Sequence, residues 1–476
     1  MAPFKKGPDY IDASWLSLAA GRPCRNLDLF LLSPATVLQS FAESSRDADV
    51  ALVEGNRGLF DGMDAEGSFS SAELAKLLGA PVLLSLDATK TTRTAAALVL
   101  GCMTLDSEVR IGGVVLNRTA GSRHESVLTQ SIEGVCGVPV LGCIPRLQDN
   151  PFPERHLGLV PPQETEDTLD PLARVTEVAE RYLDLDAILA MARTATARTV
   201  PEVAEAKASR GPAPGPEAAE AGAAPELAQG PAVLVDREGR SPGTSHDPDP
   251  DDGAAFPPTR IGVFQDAAFQ FYYPENLEAL QGAGGKLVPI SPLLDPALPP
   301  VDALYLGGGF PETLAVGLSE NVSFMATVRE AAEAGLPIYA ECGGAVYLGR
   351  RLHFEGRTFR LAGVLPVDFA FQARPKGHGY TVLETVGANP FFPVGETIRG
   401  HEFHYSYMLP EEREDLAFAF QIRRGFGFDG QRDGLVIGNV LASYTHLHAL
   451  GTLGWAPSLV RAALRYRSAS PGMPTT

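Results

Sequence analysis

Short apolar runs that stop at a polar residue, each followed by a stretch of helical periodicity, recur on both sides of a polar central tract. In the first half, runs 49–53, 81–86 and 113–116 lead into Glu54, Asp87 and Asn117, and run 138–142 leads toward Pro145 and Arg146. In the second half, residues 260–264, 286–290, 303–306 and 336–340 repeat the pattern, and residues 274–280 open with Pro and Glu, as helix N-termini prefer. Strands alternating with helices predict βαβ units, because parallel strands need a long crossover between them. The expected class is α/β in both halves, with no internal repeat. Ligands of open α/β sheets bind outside the carboxyl ends of the strands, so the polar residues at those ends mark a candidate site.

The central tract, residues 197–258, is crowded with Ala, Pro, Glu, Gly and Asp and ends in an acidic run at 247–252. It cannot bury enough apolar area to offset its ordering entropy and reads as a disordered linker. The expected organisation is a first domain at 1–196, the linker at 197–258 and a second domain at 259–476. The formal charge of -19, much of it in the linker, argues against nucleic-acid and anionic-membrane partners. No apolar run reaches the roughly 18 residues that span a bilayer. The 5 cysteines lack CxxC spacing, so neither a zinc site nor a disulfide framework is indicated, and a reducing cytoplasm is the expected compartment.

The chemistry is concentrated in the second half. Glu341-Cys342-Gly343-Gly344 follows a buried-strand pattern and opens a helix, the layout of a sharp turn that presents a nucleophile between residues too small to clash. A thiol at a helix N-terminus is expected to have its thiolate favoured by the exposed N–H groups. Gly307-Gly308-Gly309 directly after a strand offers approachable backbone N–H groups for an oxyanion hole, with Gly308 and Gly309 as its candidates. Cysteine attack needs a nearby base, and Gly400-His401-Glu402-Phe403-His404-Tyr405 and Ser443-Tyr444-Thr445-His446-Leu447-His448 supply histidines. Metal ligation competes weakly, because no His-x-x-x-His helix or carboxylate cluster accompanies them.

These segments resemble the class I glutamine amidotransferase domain of cobyrinate a,c-diamide synthases. The resemblance implies that Cys342 attacks the glutamine amide and that His446 is its base. Many glutaminases of this class carry an acid two residues after the histidine; here that position is His448, so a two-membered Cys–His arrangement is expected. Pro3-Phe4-Lys5-Lys6-Gly7-Pro8-Asp9-Tyr10-Ile11-Asp12, Val53-Glu54-Gly55-Asn56-Arg57-Gly58-Leu59-Phe60-Asp61-Gly62 and Pro153-Glu154-Arg155-His156-Leu157-Gly158-Leu159 resemble the synthetase domain of the same family. By that resemblance Asp9 and Glu54 hold Mg²⁺ and ATP, Asn117 recognises adenine, and Tyr10, Asp12 and Asp61 lie near the tetrapyrrole carboxylates. The implied fold is a P-loop-NTPase-like (dethiobiotin-synthetase-like) parallel sheet lacking its first βα unit, joined to a class I glutamine amidotransferase domain.

The implied reaction is ATP- and glutamine-dependent amidation of the a- and c-carboxylates of cobyrinic or hydrogenobyrinic acid through an acyl phosphate, within cobalamin biosynthesis. The implied partners are glutamine and a tetrapyrrole carboxylic acid, and a homodimer is left open. Sirohaem or another sirohydrochlorin is the alternative ring. A tetrapyrrole carrier and a bare glutaminase are alternatives from other classes. No GxxxxGK[ST] loop is found in the chain. Either a start codon upstream supplies it or ATP use is lost, and the first is expected, because Asp9, Glu54 and Asp61 remain together. Lys5 and Lys6 are expected on solvated surface, with partial replacement of the phosphate loop as the alternative.

Overall fold

The computed structural model describes residues 1–147, 149, 152, 154–155, 158–165, 169–195, 258–409 and 416–469. Residues 197–257 of the expected linker, and Pro153, His156 and Leu157 of the quoted synthetase segment, lie outside them. The described residues of the first half and those from Pro258 onward pack as one compact unit.

The first half is β1 (Ala2–Lys6), α1 (Ile11–Ala20), β2 (Arg25–Leu27), α2 (Pro34–Ser45), β3 (Ala51–Glu54), α3 (Ser71–Leu78), β4 (Val82–Asp87), α4 (Arg93–Leu105), β5 (Ile111–Thr119), α5 (Ser122–Cys136) and β6 (Val140–Pro145). All its strand pairings among these elements are parallel. They fall in two sheets, ordered β2-β1-β3 and β4-β5-β6. Glu54 and Asp87 are the last residues of β3 and β4, while β5 runs two residues past Asn117 to Thr119. Local chemistry sets the helix ends. The Ser33 and Ser70 side chains cap α2 and α3 by accepting from Thr36 N–H and Glu73 N–H, and Gly21 and Gly79 close α1 and α3 at positive φ.

The second half is built on a 10-stranded sheet. Its parallel part comprises β7 (Thr259–Phe264), β8 (Gly285–Ile290), β9 (Ala303–Leu306) and β10 (Ile338–Glu341). An antiparallel extension follows: β11 (Gly377–Thr385), β12 (Thr397–His404), β13 (Ala417–Arg424), β14 (Arg432–Ile437), β15 (Val440–Ser443) and β16 (His446–Leu447). The order is β8-β7-β9-β10-β15-β14-β13-β11-β12-β16, with β10 and β15 parallel. Helix α6 (Pro274–Gly282) packs on β8, and α7 (Trp455–Ala469) packs on α6, β7 and β9. Trp455, Tyr305 and Tyr339 are buried together on that face. The alternating pattern of the sequence predicts the parallel strands but not the antiparallel extension, whose residues mix polar and apolar positions.

The two halves are joined by polar contacts. Asp28, fully buried, accepts from Tyr380 Oη at 2.7 Å and from Phe30 and Leu31 N–H at 2.8 and 2.9 Å, and the Phe30 and Tyr380 rings stack at 4.3 Å. Burial holds the Asp28 carboxyl above the usual range despite these donors. Arg25 forms a fork with Glu278 at 2.9 and 2.6 Å, and Trp15 Nε1 donates to Val160 O at 2.9 Å within the first half. Tyr380→Phe keeps the ring stack and removes one donor from a buried acid, a change that costs about 1–3 kcal/mol. Urea unfolding is expected to show that loss with an unchanged m-value; a loss below ~0.5 kcal/mol would mean Asp28 does not depend on Tyr380.

Candidate functional site: a glutaminase cavity shared by both halves

Strand β10 ends at Glu341, and the next residue, Cys342, takes φ 47°, a left-handed conformation that few non-glycine residues adopt. Its N–H donates to Ser443 O at 2.7 Å, and the helix α8 (Gly343–Leu348) starts at once. A Cβ on Gly344 would lie 2.6 Å from Leu306 O, so glycine is required there, and one on Gly343 would make a tight 3.0 Å approach to Gly309 N. The elbow expected from the motif is thus a strained turn wedged against β9. The thiol departs from expectation: burial, then the charge of Glu312, push Cys342 well above the usual thiol range. Desolvation outweighs the donors of a helix only 6 residues long, so the resting group is a thiol and needs a base.

Histidine 446 opens β16 directly opposite His401 of β12, and their rings stack at 5.0 Å. Cys342, His446, His401, Gly309, Glu312 and Tyr10 line one cavity together with Asp9. Gly308 lies behind the His446 ring, where a Cβ would meet Cε1 at 2.5 Å, while Gly309 is on the cavity wall. His401 is held well below the usual imidazole range by burial and by the neighbouring histidines, so it is neutral, and its Nδ1 faces Tyr273 Oη at 3.3 Å. Glu341, absent from the sequence expectations, has Oε2 3.4 Å from His446 Nδ1. Its signal was a carboxylate ending an otherwise apolar strand.

The loop after β1 brings the synthetase half into this cavity. Asn26 Nδ2 donates to Gly7 O and Asp9 O, both at 2.8 Å, which fixes the turn. Tyr10 then stacks on Phe271 at 5.1 Å and sits 5.4 Å from the His446 ring. Asp9 accepts from Asp12 N–H at 2.9 Å, and its carboxyl is pushed up to about 6 by burial and by the charge of Asp12, against the pull of Lys5. Lys5 is buried, not solvated: its Nζ contacts Asp12 at 2.8 Å and Glu54 at 3.3 Å. Burial pulls its pKa down, and those carboxylates more than compensate. Lys6 is buried too, and burial lowers its pKa. The pair was expected at the surface as lysines near a terminus, whereas Asp12 and Glu54 close around Lys5. Asp61 is exposed and accepts from Gly58 N–H at 2.9 Å, and Asn117 is exposed two residues before the end of its strand. Neither lines the cavity that holds Tyr10 and Cys342.

Hard divalent cations take carboxylate oxygens and keep several waters, so a magnesium–nucleotide needs only one or two protein carboxylates. Among the described residues no cluster of three or more His, Cys, Asp or Glu side chains is arranged to cage a metal. Asp9, with its elevated pKa, and Glu54, raised by burial and relieved only in part by Lys5, are acids short of positive charge. That donor chemistry fits a magnesium–nucleotide. No helix among the described residues is long and apolar enough to cross a membrane.

A strained cysteine elbow, a facing histidine and a mixed sheet define a class, the glutamine amidotransferases, and comparison with known proteins gives the same class. A family profile described as CobB/CobQ-like glutamine amidotransferase domain matches residues 260–453, and one described as AAA domain matches residues 32–152. The chain is 44% identical over 459 residues to a cobyrinate a,c-diamide synthase of Magnetococcus marinus, covering 96% of this chain and 90% of that protein. It is 38% identical over 464 residues to the synthase of Archaeoglobus fulgidus, covering 97% and 91%, and 36% over 495 residues to that of Methanosarcina acetivorans, covering 98% and 90%. The chain belongs to the cobyrinate a,c-diamide synthase family and is a glutamine-dependent ligase with an amidotransferase domain.

A buried acid beside the site gives a test of the electrostatics. Glu275 is 5% exposed and pushed up to about 7 by burial, with Arg25 pulling the other way; both its oxygens lack a hydrogen bond. The folded chain therefore binds this proton more tightly than the unfolded chain. The stability it contributes is fully present below about 4.5 and is lost as pH rises through about 7. Glu275→Gln is expected to be the more stable form at pH 8 by roughly 2–4 kcal/mol and indistinguishable from the parent at pH 4, read by chemical unfolding at the two pH values. Equal stability at pH 8 would place the charge of Glu275 in a solvated or fully compensated setting.

Proposed function

We propose that this chain catalyses ATP- and glutamine-dependent amidation of the a- and c-carboxylates of cobyrinic acid, or of its metal-free analogue, in cobalamin biosynthesis. The observation that carries the proposal is the shared cavity, in which Cys342 and His446 of the glutaminase half meet Asp9 and Tyr10 of the synthetase half. Cys342 is the nucleophile. Its proton passes to His446, the sulfur adds to the side-chain amide carbon of glutamine, and the tetrahedral oxygen is stabilised by backbone N–H groups at Gly308 and Gly309. The carbon–nitrogen bond then breaks, the proton on His446 leaves with ammonia, and water hydrolyses the resulting thioester to glutamate. A thiol held protonated by burial makes the base indispensable.

In the synthetase half, a carboxylate is too poor an electrophile for ammonia and is activated as an acyl phosphate by ATP. Asp9 and Glu54 are assigned to the magnesium–nucleotide, whose ion supplies charge neutralisation of the phosphates, and Asn117 to adenine. Tyr10, Asp12 and Asp61 are assigned to the tetrapyrrole side. The position of Tyr10 gives it a second role, because its ring lines the cavity of the thiol while its sequence neighbours Asp9 and Asp12 belong to the carboxylates around Lys5. Ammonia released at Cys342 can therefore move toward the acyl phosphate past Asp9 and Tyr10, shielded from protonation in bulk water.

Cys342→Ser is expected to abolish amidation driven by glutamine while leaving amidation driven by ammonium chloride within about twofold, followed by mass spectrometry of the pigment. Offering cobyrinic acid and sirohaem in parallel tests the ring; an amide on sirohaem alone would overturn the cobyrinate assignment. Glutamine hydrolysis unaffected by ATP, with no pigment amidated, would leave a bare glutaminase. Tyr10→Ala is expected to raise glutamate formed per amide made by several-fold, as ammonia escapes; an unchanged ratio would remove Tyr10 from the ammonia path.

A further inference from the structure

An imidazole that takes a thiol proton becomes a cation, and thiol–imidazole pairs work best when a third group holds the ring and faces that charge. The residue two places after His446 does not do so here. His448 accepts from Leu450 N–H on Nδ1 at 3.3 Å, its Nε2 faces Glu275 at 3.8 Å, and burial pushes it down to about 3. We propose that Glu341, the neighbour of Cys342 in sequence, is the positioning residue for His446: its carboxylate accepts a hydrogen bond from Nδ1–H, leaves Nε2 for the thiol, and stabilises the imidazolium. The inference rests on the glutaminase reading above.

The geometry carries it. Glu341 is fully buried, and its Oε2 lies 3.4 Å from His446 Nδ1. That buried nitrogen has no hydrogen bond of good geometry, so the contact has the distance of a bond without its alignment. Catalytic hydrogen bonds are commonly long or misaligned without substrate and tighten when it binds. The rest of the carboxylate is already satisfied. Oε1 accepts from Tyr339 Oη and Leu447 N–H, both at 3.2 Å, and Oε2 accepts from Tyr305 Oη at 3.1 Å. Asn276 braces the arrangement, donating to Tyr305 Oη at 3.2 Å and Leu447 O at 3.0 Å and accepting from Ala449 N–H at 2.7 Å.

These donors fix the acid in place in a setting from which water is excluded, where a charge acts over short range with little screening. Because Leu447 follows His446, the same carboxylate holds the backbone that carries the imidazole. Tyr10, His401 and Glu341 lie against that ring, and Cys342, Glu312 and Asp9 line the same cavity. Tyr10 is held neutral by burial, and His401 is neutral as well, so of the groups against the ring Glu341 is the carboxylate. His401 stacks face-on and its own Nδ1 is turned to Tyr273, so it does not take the orienting role.

The test is Glu341→Gln beside Glu341→Asp in the full chain, with glutamine hydrolysis and ammonium-driven amidation measured on each. Glu341→Gln is expected to lower kcat for glutamine hydrolysis by on the order of a hundredfold or more, with KM changed by less than about threefold. Ammonium-driven amidation should stay within about twofold, which excludes unfolding. The acidic limb of the kcat/KM profile should move to lower pH, because loss of the neighbouring negative charge makes His446 harder to protonate. Glu341→Asp should recover part of the rate. Glutamine hydrolysis in Glu341→Gln within about threefold of the parent would overturn the role of Glu341. A parallel fall in both activities with an unmoved pH limb would show a structural role only, and overturn it too. No glutamine hydrolysis by the unaltered chain would overturn the glutaminase reading itself.

Discussion

The backbone at Cys342 is the constraint on which the site depends. A non-glycine residue at φ 47° costs on the order of 1–3 kcal/mol, and it persists because its surroundings leave no alternative. The Cys342 N–H is bonded to Ser443 O across the β10–β15 ladder, while Gly343 packs tightly on Gly309 and Gly344 leaves no room for a Cβ against Leu306. Relaxing the turn would break a ladder bond and lift α8 from the sheet. The strain therefore fixes three things at once. It aims the thiol into the cavity, sends Glu341 beneath His446, and ties the nucleophile to the strand that leads to the histidine.

That strand needs its own anchor, supplied by Asp433. The carboxylate is fully buried, and burial raises its pKa, yet it accepts from Ser443 Oγ at 2.7 Å and from Tyr444 and Thr445 N–H at 3.0 and 3.1 Å. These donors stiffen the turn between β15 and β16, and so the position of His446. Glu402 plays the matching part for β12, accepting from Phe426 and Gly427 N–H and from His404 at 3.2 Å, with the net effect of lowering its pKa despite burial. Buried acids are costly unless satisfied, and satisfied ones specify a single arrangement. Both histidine-bearing strands use this device.

Much of this architecture was legible because it is local. The strands ending at Glu54 and Asp87, the helix opening at Pro274 and the Cys342 elbow each follow from a few consecutive residues. What was not legible depends on residues far apart. Strand β1 contains a proline and two lysines and reads as a polar terminus; it is a buried parallel strand because β2 and β3 flank it and because Asp12 and Glu54 converge on Lys5. The two-membered Cys–His expectation looked for an acid at position 448. The proximity of Glu341 to His446 was not legible, because strand alternation puts Glu341 on the side of Tyr339, and only the fold brings Leu447 and His446 over that side. The thiol's elevated pKa was missed for a related reason: the helix is visible in the sequence, but the degree of burial is not.

The placement of Tyr10 links the two chemistries. A glutaminase that hydrolysed glutamine with no acceptor present would waste it, and a synthetase site open to water would lose its ammonia to protonation. In the proposed reaction both losses bear on one ring, packed against Phe271, Tyr273, His401 and His446. It is carried by a loop whose other residues, Asp9 and Asp12, belong to the carboxylate cluster around Lys5. The loop is pinned by Asn26, next to the strand end where Asp28 meets Tyr380 of the other half. A shift of charge around Asp9 would be felt by a ring centred 5.4 Å from that of His446, over a path of a few covalent bonds. Coupling of this kind needs no large motion: the connection is short, the loop is held at both ends, and the ring has packed neighbours on the side where the thiol acts.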